Sequence, residues 1–134
     1  MTHEERVLKF LAGDRFAVVG ASRSRSKYGN RIVRCYQQNS LDVVPVNPNA
    51  DEIEGLKCFP DLSSLPDPVY GASIITPPHV TEQVVEEAAA AGIKHLWMQP
   101  GAESDAAIQR AEELDINVIG GWACLLVVLG FHDG

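Results

Sequence analysis

The sequence predicts an α/β fold, a three-layer sandwich in which helices cover both faces of an open, mostly parallel, doubly wound sheet of five strands. Three observations predict it. Short apolar runs of strand length alternate with amphipathic helical segments, the pattern of βαβ units. Those runs are continuous rather than alternating, as in strands buried on both faces. At 134 residues and 46% hydrophobic, the chain is long enough for one core and too short for two ordinary domains. The expected organisation is one domain over residues 1–134, with an N-terminal helix in 1–13 and the α/β core in 14–134.

Residues 2–12 (THEERVLKFLA) put Val7, Leu8 and Leu11 on one helical face, and Gly13 stops the element. FAVVG (16–20) is the first strand. In residues 28–38, Ile32, Val33 and Tyr36 recur at helical spacing, and LDVVPVN (41–47) is the second strand. The spacer EGLKCFPDLSSLPDP (54–68) is rich in proline and turn formers, so it is expected to be mostly loop, with one helical turn near 61–65. GASIIT (71–76) is the third strand. HVTEQVVEEAAAAG (79–92) is a helix with Val80, Val84, Val85 and Ala88 facing the sheet. KHLWMQ (94–99), ESDAAIQRAEEL (103–114) and INVIG (116–120) supply the fourth strand, another helix and the fifth strand. The apolar tract 122–129 is expected as a buried terminal element, far short of the roughly 20 residues a membrane helix needs.

Charge and cysteine content narrow the function classes. Cys35, Cys58 and Cys124 are odd in number and widely spaced, with neither zinc-site pairs nor the density of a secreted disulfide scaffold. With no secretory leader pattern at the start, a reducing cytoplasm is the simplest home. A net charge of -7 argues against general nucleic-acid binding. Yet Arg15, Arg23, Arg25, Lys27, Arg31 and Arg34 fall between residues 15 and 41 without a single Asp or Glu. A cationic island in an acidic protein suggests a local anionic ligand.

In an open doubly wound sheet, ligands lie beyond the carboxyl ends of the strands, where the strand order reverses. Four loops meet that rule: GASRSRSKYGN after the first strand, VNPN after the second, TPPH after the third and MQPGAES after the fourth. The first precedes a helix whose initial amides are unpaired, so it can hold phosphate by backbone donors, with Arg23, Arg25 or Lys27 adding charge. Gly20 lets the chain turn close to a ligand and Gly29 admits close approach at the helix start. The bland alternative is a solvated loop with ordinary surface cations. The loop does not follow GxGxxG, Asn47 stands where a nicotinamide site favours an acid, and GxxxxGK[ST] is absent. These departures leave a phosphorylated nucleotide of another kind.

Together, VVGAS with its K-Y-G segment, VPVNPN, EIEGLKCFPDLSSLP, the TPP turn and WMQPGAES resemble the small single-domain CoA-binding proteins. Those proteins are related to the CoA-binding domain of succinyl-CoA synthetase alpha subunits. The resemblance spans residues 16–124. It implies a Rossmann-like domain holding coenzyme A, with pyrophosphate and ribose phosphate at the first loop, adenine near the VNP turn and pantetheine leading past the third and fourth strand ends. The implied contacts are Gly20, Ala21, Ser22, Arg23, Lys27, Tyr28 and Gly29 at the phosphates. Val46, Asn47 and Pro48 are implied beside adenine, Thr76, Pro77 and Pro78 along the arm, and Gln99, Pro100 and Gly101 at its far end. The prolines have a second reading as rigid strand terminators.

No nucleophile–base pair, carboxylate pair or metal cluster stands out. His79 opens a helix, where it reads either as an acid–base group or as an ordinary surface residue. Cys124 reads as a thiol at the site entrance or, being followed by LLVVL, as a core residue. Glu103, Ser104 and Asp105 suit a helix start as caps. The synthetases with this fold carry a phosphohistidine and a grasp domain on further segments that these 134 residues do not show. The expectation is a cytoplasmic module that binds, carries or senses CoA or an acyl-CoA. Its rivals are an NAD(P)- or CoA-dependent enzyme using His79 or Cys124, and an interaction protein docking through the apolar tail 122–131, a homodimer being the simplest form.

Overall fold

The computed structural model describes residues 1–133. The first helix, α1 (His3–Leu11), starts at a reciprocal cap: the Glu5 amide donates to the Thr2 hydroxyl and the Thr2 amide to the Glu5 carboxylate, each at 3.1 Å. Its inward face is Val7 and Phe10, with Leu11 half-buried, whereas Leu8 is 69% exposed. That corrects the expected Val7, Leu8 and Leu11 stripe by about one position. The cause is Phe10, which stacks on Phe16 at 5.0 Å and meets Trp97 edge-on at 5.5 Å, turning the helix so that the ring enters the core.

The chain then forms β1 (Arg15–Val19), α2 (Tyr28–Gln38), β2 (Asp42–Val46), β3 (Glu52–Ile53) and β4 (Leu56–Lys57). A 3₁₀ turn at Leu62–Ser64 leads to β5 (Gly71–Ile74), α3 (Pro78–Ala90), β6 (His95–Met98), α4 (Asp105–Glu113), β7 (Asn117–Ile119) and α5 (Leu125–Leu129). The main sheet runs in the order β2-β1-β5-β6-β7 and every pairing in it is parallel. After β2 the chain crosses back past β1, so the winding direction reverses between β1 and β5.

Alternate residues of each strand feed two cores. Ala17, Val19, Val44, Val46, Ala72, Ile74, Leu96 and Met98 pack beneath α3 and α4. Phe16, Val18, Val43 and Trp97 pack against Val7 and Phe10 of α1, Ile32, Val33 and Tyr36 of α2, and Leu125 of α5. Both faces of the sheet are therefore apolar, which is why its strands read as unbroken apolar runs.

Two expectations need amendment. Residues 52–57 form a β3–β4 hairpin within what reads as mostly loop. Its central residues, Glu54 (φ 49°) and Gly55 (φ 78°), both have positive φ, as a type I′ turn requires. Glu-Gly is a weaker signal for that turn than Asn-Gly or Asp-Gly. The tract 122–129 is only partly buried: Leu125 is fully enclosed, but Val127 is 76% exposed. The helical turn near 61–65 is present, with the Asp61 carboxylate accepting from the Ser64 amide at 2.9 Å.

Phe10 also fits over Gly71, where an added Cβ would lie 2.9 Å from its ring. Replacing Phe10 with Ala should therefore cost about 3–5 kcal/mol, read as a lower urea midpoint. A loss under about 1 kcal/mol would contradict its place at the centre of this core.

Candidate functional site

The reversal between β1 and β5 is shaped by two glycines. Gly20 ends β1 at φ 95°, and a Cβ there would sit 2.8 Å from the Ile75 carbonyl oxygen. Gly29 is tighter still, since its Cβ would meet the Gly20 oxygen at 2.1 Å. Helix α2 thus begins directly against the end of β1. Lys27 at its N-cap makes no side-chain cap bond; the Asn30 amide donates to the Lys27 carbonyl at 3.1 Å, and the Tyr28 and Gly29 amides are left open. The helix dipole adds positive potential at that point.

The cationic island divides into two groups. Arg15 pairs with Asp42 at 3.1 Å, Arg25 with Glu54 at 2.7 Å, and Arg31 and Arg34 with Asp133 at 3.6 and 2.9 Å. Arg23 and Lys27 are exposed and have no ion-pair partner among the described residues. Among the described residues, these two cations of the island have no acid beside them.

The other strand ends surround the same notch. Asn47 donates to the Ala21 carbonyl at 2.7 Å and accepts from the Asn49 amide at 2.7 Å, tying the β2 end to the first loop. Ser22 accepts from the Ser24 amide at 3.1 Å. A cavity of about 260 Å³ lies between them, walled by Gly20, Val46, Asn47, Pro48, Thr76 and Val80, among others. A second of about 290 Å³ follows on the far side of Thr76, walled by Ile75, Pro77, Pro100, Gly101 and Ala102. Thr76 belongs to both, and its hydroxyl lies 2.8 Å from that of buried Thr81. Pro77 and Pro78 open α3 and are exposed. The Gly101 amide is already taken by the Glu103 carboxylate at 2.9 Å, and Ser104 caps α4.

Gln99 sits below this floor rather than on it. Fully buried, it accepts at Oε1 from the Tyr28 hydroxyl (3.2 Å) and the Leu125 amide (2.9 Å), and its amide reaches the Ser73 hydroxyl at 3.4 Å. Ser73 in turn lies 2.7 Å from the Tyr36 hydroxyl. Burial, with the neighbouring Cys124 thiol second, pushes the Tyr28 phenol up. Burial likewise pushes the Cys35 thiol up to about 11, so it is protonated and unreactive at neutral pH. His79 is exposed, whereas His95 stacks on Tyr70 at 4.3 Å and is pushed down by burial.

The structure thus brings together Gly20, Ala21, Ser22, Gly29, Val46, Asn47 and Thr76 at one notch. Arg23 and Lys27 are exposed on the loop between Ser22 and α2, and Pro100 and Gly101 stand across the second cavity. Sequence reasoning passed over Glu54 and Asn30. Glu54 is delivered by the unanticipated hairpin, and the only sequence signal for Asn30 is its i, i+4 spacing to Arg34. A larger cavity, about 450 Å³, lies between Leu62, Leu65, Pro68, Ala90 and Ile93. It has carboxylates on its rim and no cation, which suits no anionic ligand. Among the described residues no three His, Cys, Asp or Glu side chains gather as a metal site, and no helix is long and apolar enough to cross a membrane.

A family model described as a CoA binding domain matches residues 14–130. Acetate–CoA ligase [ADP-forming] II of Archaeoglobus fulgidus is 45% identical over 80 residues, 58% of this chain and 12% of the ligase. The chain spans about one-eighth of that relative's length. A conserved hypothetical protein from Pyrococcus furiosus has TM-score 0.80 and 43% identity, covering 85% of this chain and 97% of its own. The dinucleotide-forming acetyl-coenzyme A synthetase 1 of Ca. Korarchaeum cryptofilum has TM-score 0.71 and 34% identity over 80% of this chain and 26% of its own.

Because the Gly20 carbonyl fills the space a Gly29 side chain would need, Gly29→Ala should cost about 1–3 kcal/mol by overpacking. Chemical denaturation measures it, and an unchanged midpoint would mean that the helix start is free to shift.

Proposed function

The chain belongs to the CoA-binding domain family, and on that premise we propose that it is a single domain holding coenzyme A or an acyl-CoA beyond the carboxyl ends of β1, β2, β5 and β6. The observation that carries this reading is the meeting of the open Tyr28 and Gly29 amides with unpaired Arg23 and Lys27 at the reversal of the sheet. CoA fits the residues present. Its phosphates suit charge-assisted bonds from the loop amides, Arg23 and Lys27. Its adenine suits the largely apolar 260 Å³ cavity, where Glu87 offers an acceptor for an exocyclic amine. The uncharged pantetheine arm suits Thr76, Pro77, Pro100 and Gly101 around the 290 Å³ cavity. The role is binding, carrying or sensing: these residues hold and orient the ligand, and the thiol of CoA or the thioester of an acyl-CoA would supply whatever chemistry follows.

Thermal-shift titration with CoA, acetyl-CoA, NAD, NADP and ATP tests the reading. Ligand at a hundred times its Kd adds about 2.7 kcal/mol to stability, so CoA should raise Tm by several degrees. Stabilisation by NAD instead of CoA would overturn the reading. The double variant Arg23→Glu with Lys27→Glu should weaken CoA about ten-fold or more in low salt and much less in high salt, because salt screens exposed charges. Affinity unchanged by the two substitutions in both buffers would make the two cations bystanders.

A further inference from the structure

Behind the first loop lies a buried polar web. Asn30 is fully buried and Arg34 is 5% exposed. Arg34 donates through Nε to Asn30 Oδ1 at 2.6 Å, through Nη2 to the Arg25 carbonyl at 2.8 Å and through Nη1 to Asp133 Oδ1 at 2.9 Å. Its guanidinium also lies over the Phe131 ring, 5.1 Å from the centroid. Asn30 donates to the Ser22 carbonyl at 2.9 Å and to Glu54 Oε2 at 3.0 Å, while Glu54 Oε1 accepts from Arg25 at 2.7 Å. Two loop carbonyls, those of Ser22 and Arg25, are therefore drawn toward α2. In a planar trans peptide the C=O and N–H point in opposite directions. The amides of Arg23 and Ser26 are thereby turned away from the helix.

We propose that Asn30 and Arg34 are positioning residues for the first loop, aiming its amides at an anionic ligand, and that Asp133 makes the C-terminal segment part of that device. The proposal rests on the phosphate-loop reading above. Burying an Arg and an Asn costs desolvation that apolar residues of similar size would avoid. What the polar pair adds is direction: a guanidinium fork reaches three acceptors in fixed geometry, which a lysine ammonium cannot reproduce. The charged groups of the web are Arg25, Arg31 and Arg34 against Glu54 and Asp133, so it keeps one net positive charge behind the loop.

The test uses the full chain with Arg34→Lys and Asp133→Asn. Calorimetry gives CoA affinity, and amide chemical shifts of Arg23 and Ser26 follow a titration with inorganic pyrophosphate. Arg34→Lys should fold cooperatively yet lose about ten-fold in affinity, the worth of one charge-assisted bond, and its two amides should no longer respond. Asp133→Asn should lose about three-fold with the same amides affected, and it carries the test alone if Arg34→Lys does not fold. Lower stability with unaltered affinity and amide response would overturn the proposal, leaving Arg34 a packing residue. Should the unmodified protein bind pyrophosphate at these amides but not CoA, the CoA reading fails and the positioning role stands. If it binds neither, both fall.

Discussion

The site depends on a space one methyl group wide. A Cβ on Gly29 would meet the Gly20 carbonyl oxygen at 2.1 Å, so the start of α2 can press against the end of β1 only because that methyl is missing. The contact fixes several features together. It sets the direction of the helix axis toward the gap between β1 and β5, brings the first-turn amides to that gap, and confines residues 21–27 to a short arch above it. Gly20 makes the matching contact with Ile75 on the other side. Without these two approaches the same strands and helices would pack, but the reversal of the sheet would be a surface groove with no donors at its mouth.

Electrostatics refines this geometry. The molecule carries a net charge of -7, and an anion approaching it is repelled at long range. Four of the six clustered cations have acids beside them in the fold: Arg15 has Asp42, Arg25 has Glu54, and Arg31 and Arg34 share the single carboxylate of Asp133. Positive potential therefore persists over a narrow zone around Arg23 and Lys27. Such a zone favours a compact anion over an extended polyanion, in keeping with small-molecule recognition.

Much of this was legible in the sequence because it is written in local patterns. Continuous apolar runs marked the buried strands, helical spacing placed Val33 and Tyr36 inward, and the order of elements led to the strand-end loops. What stayed hidden depends on partners far apart in the chain. The inward face of α1 follows Phe10, whose seat is made by Phe16, Gly71 and Trp97. Glu54 reaches the first loop only because a Glu-Gly turn folds back as a hairpin. Gln99 reads as a strand-end polar residue, yet it is enclosed, since Tyr28, Ser73 and the Leu125 amide converge on it from three elements. The cluster of arginines is plain in the sequence, but which of its cations have an acid beside them is set by Asp42, Glu54 and Asp133. No spacing rule connects those acids to the loop.

The link between Arg34 and Asp133 spans 99 residues, and that between Gln99 and Leu125 spans 26. Long-range links carry a loop-closure entropy that local ones do not. During synthesis, β1, the first loop and α2 emerge well before Asp133, which completes the web behind that loop. The early chain has the cations of the loop but not the acid that balances Arg31 and Arg34. On the ribosome this region is consequently a basic segment next to a polyanionic surface, and Arg31 and Arg34 meet their carboxylate partner only when Asp133 arrives.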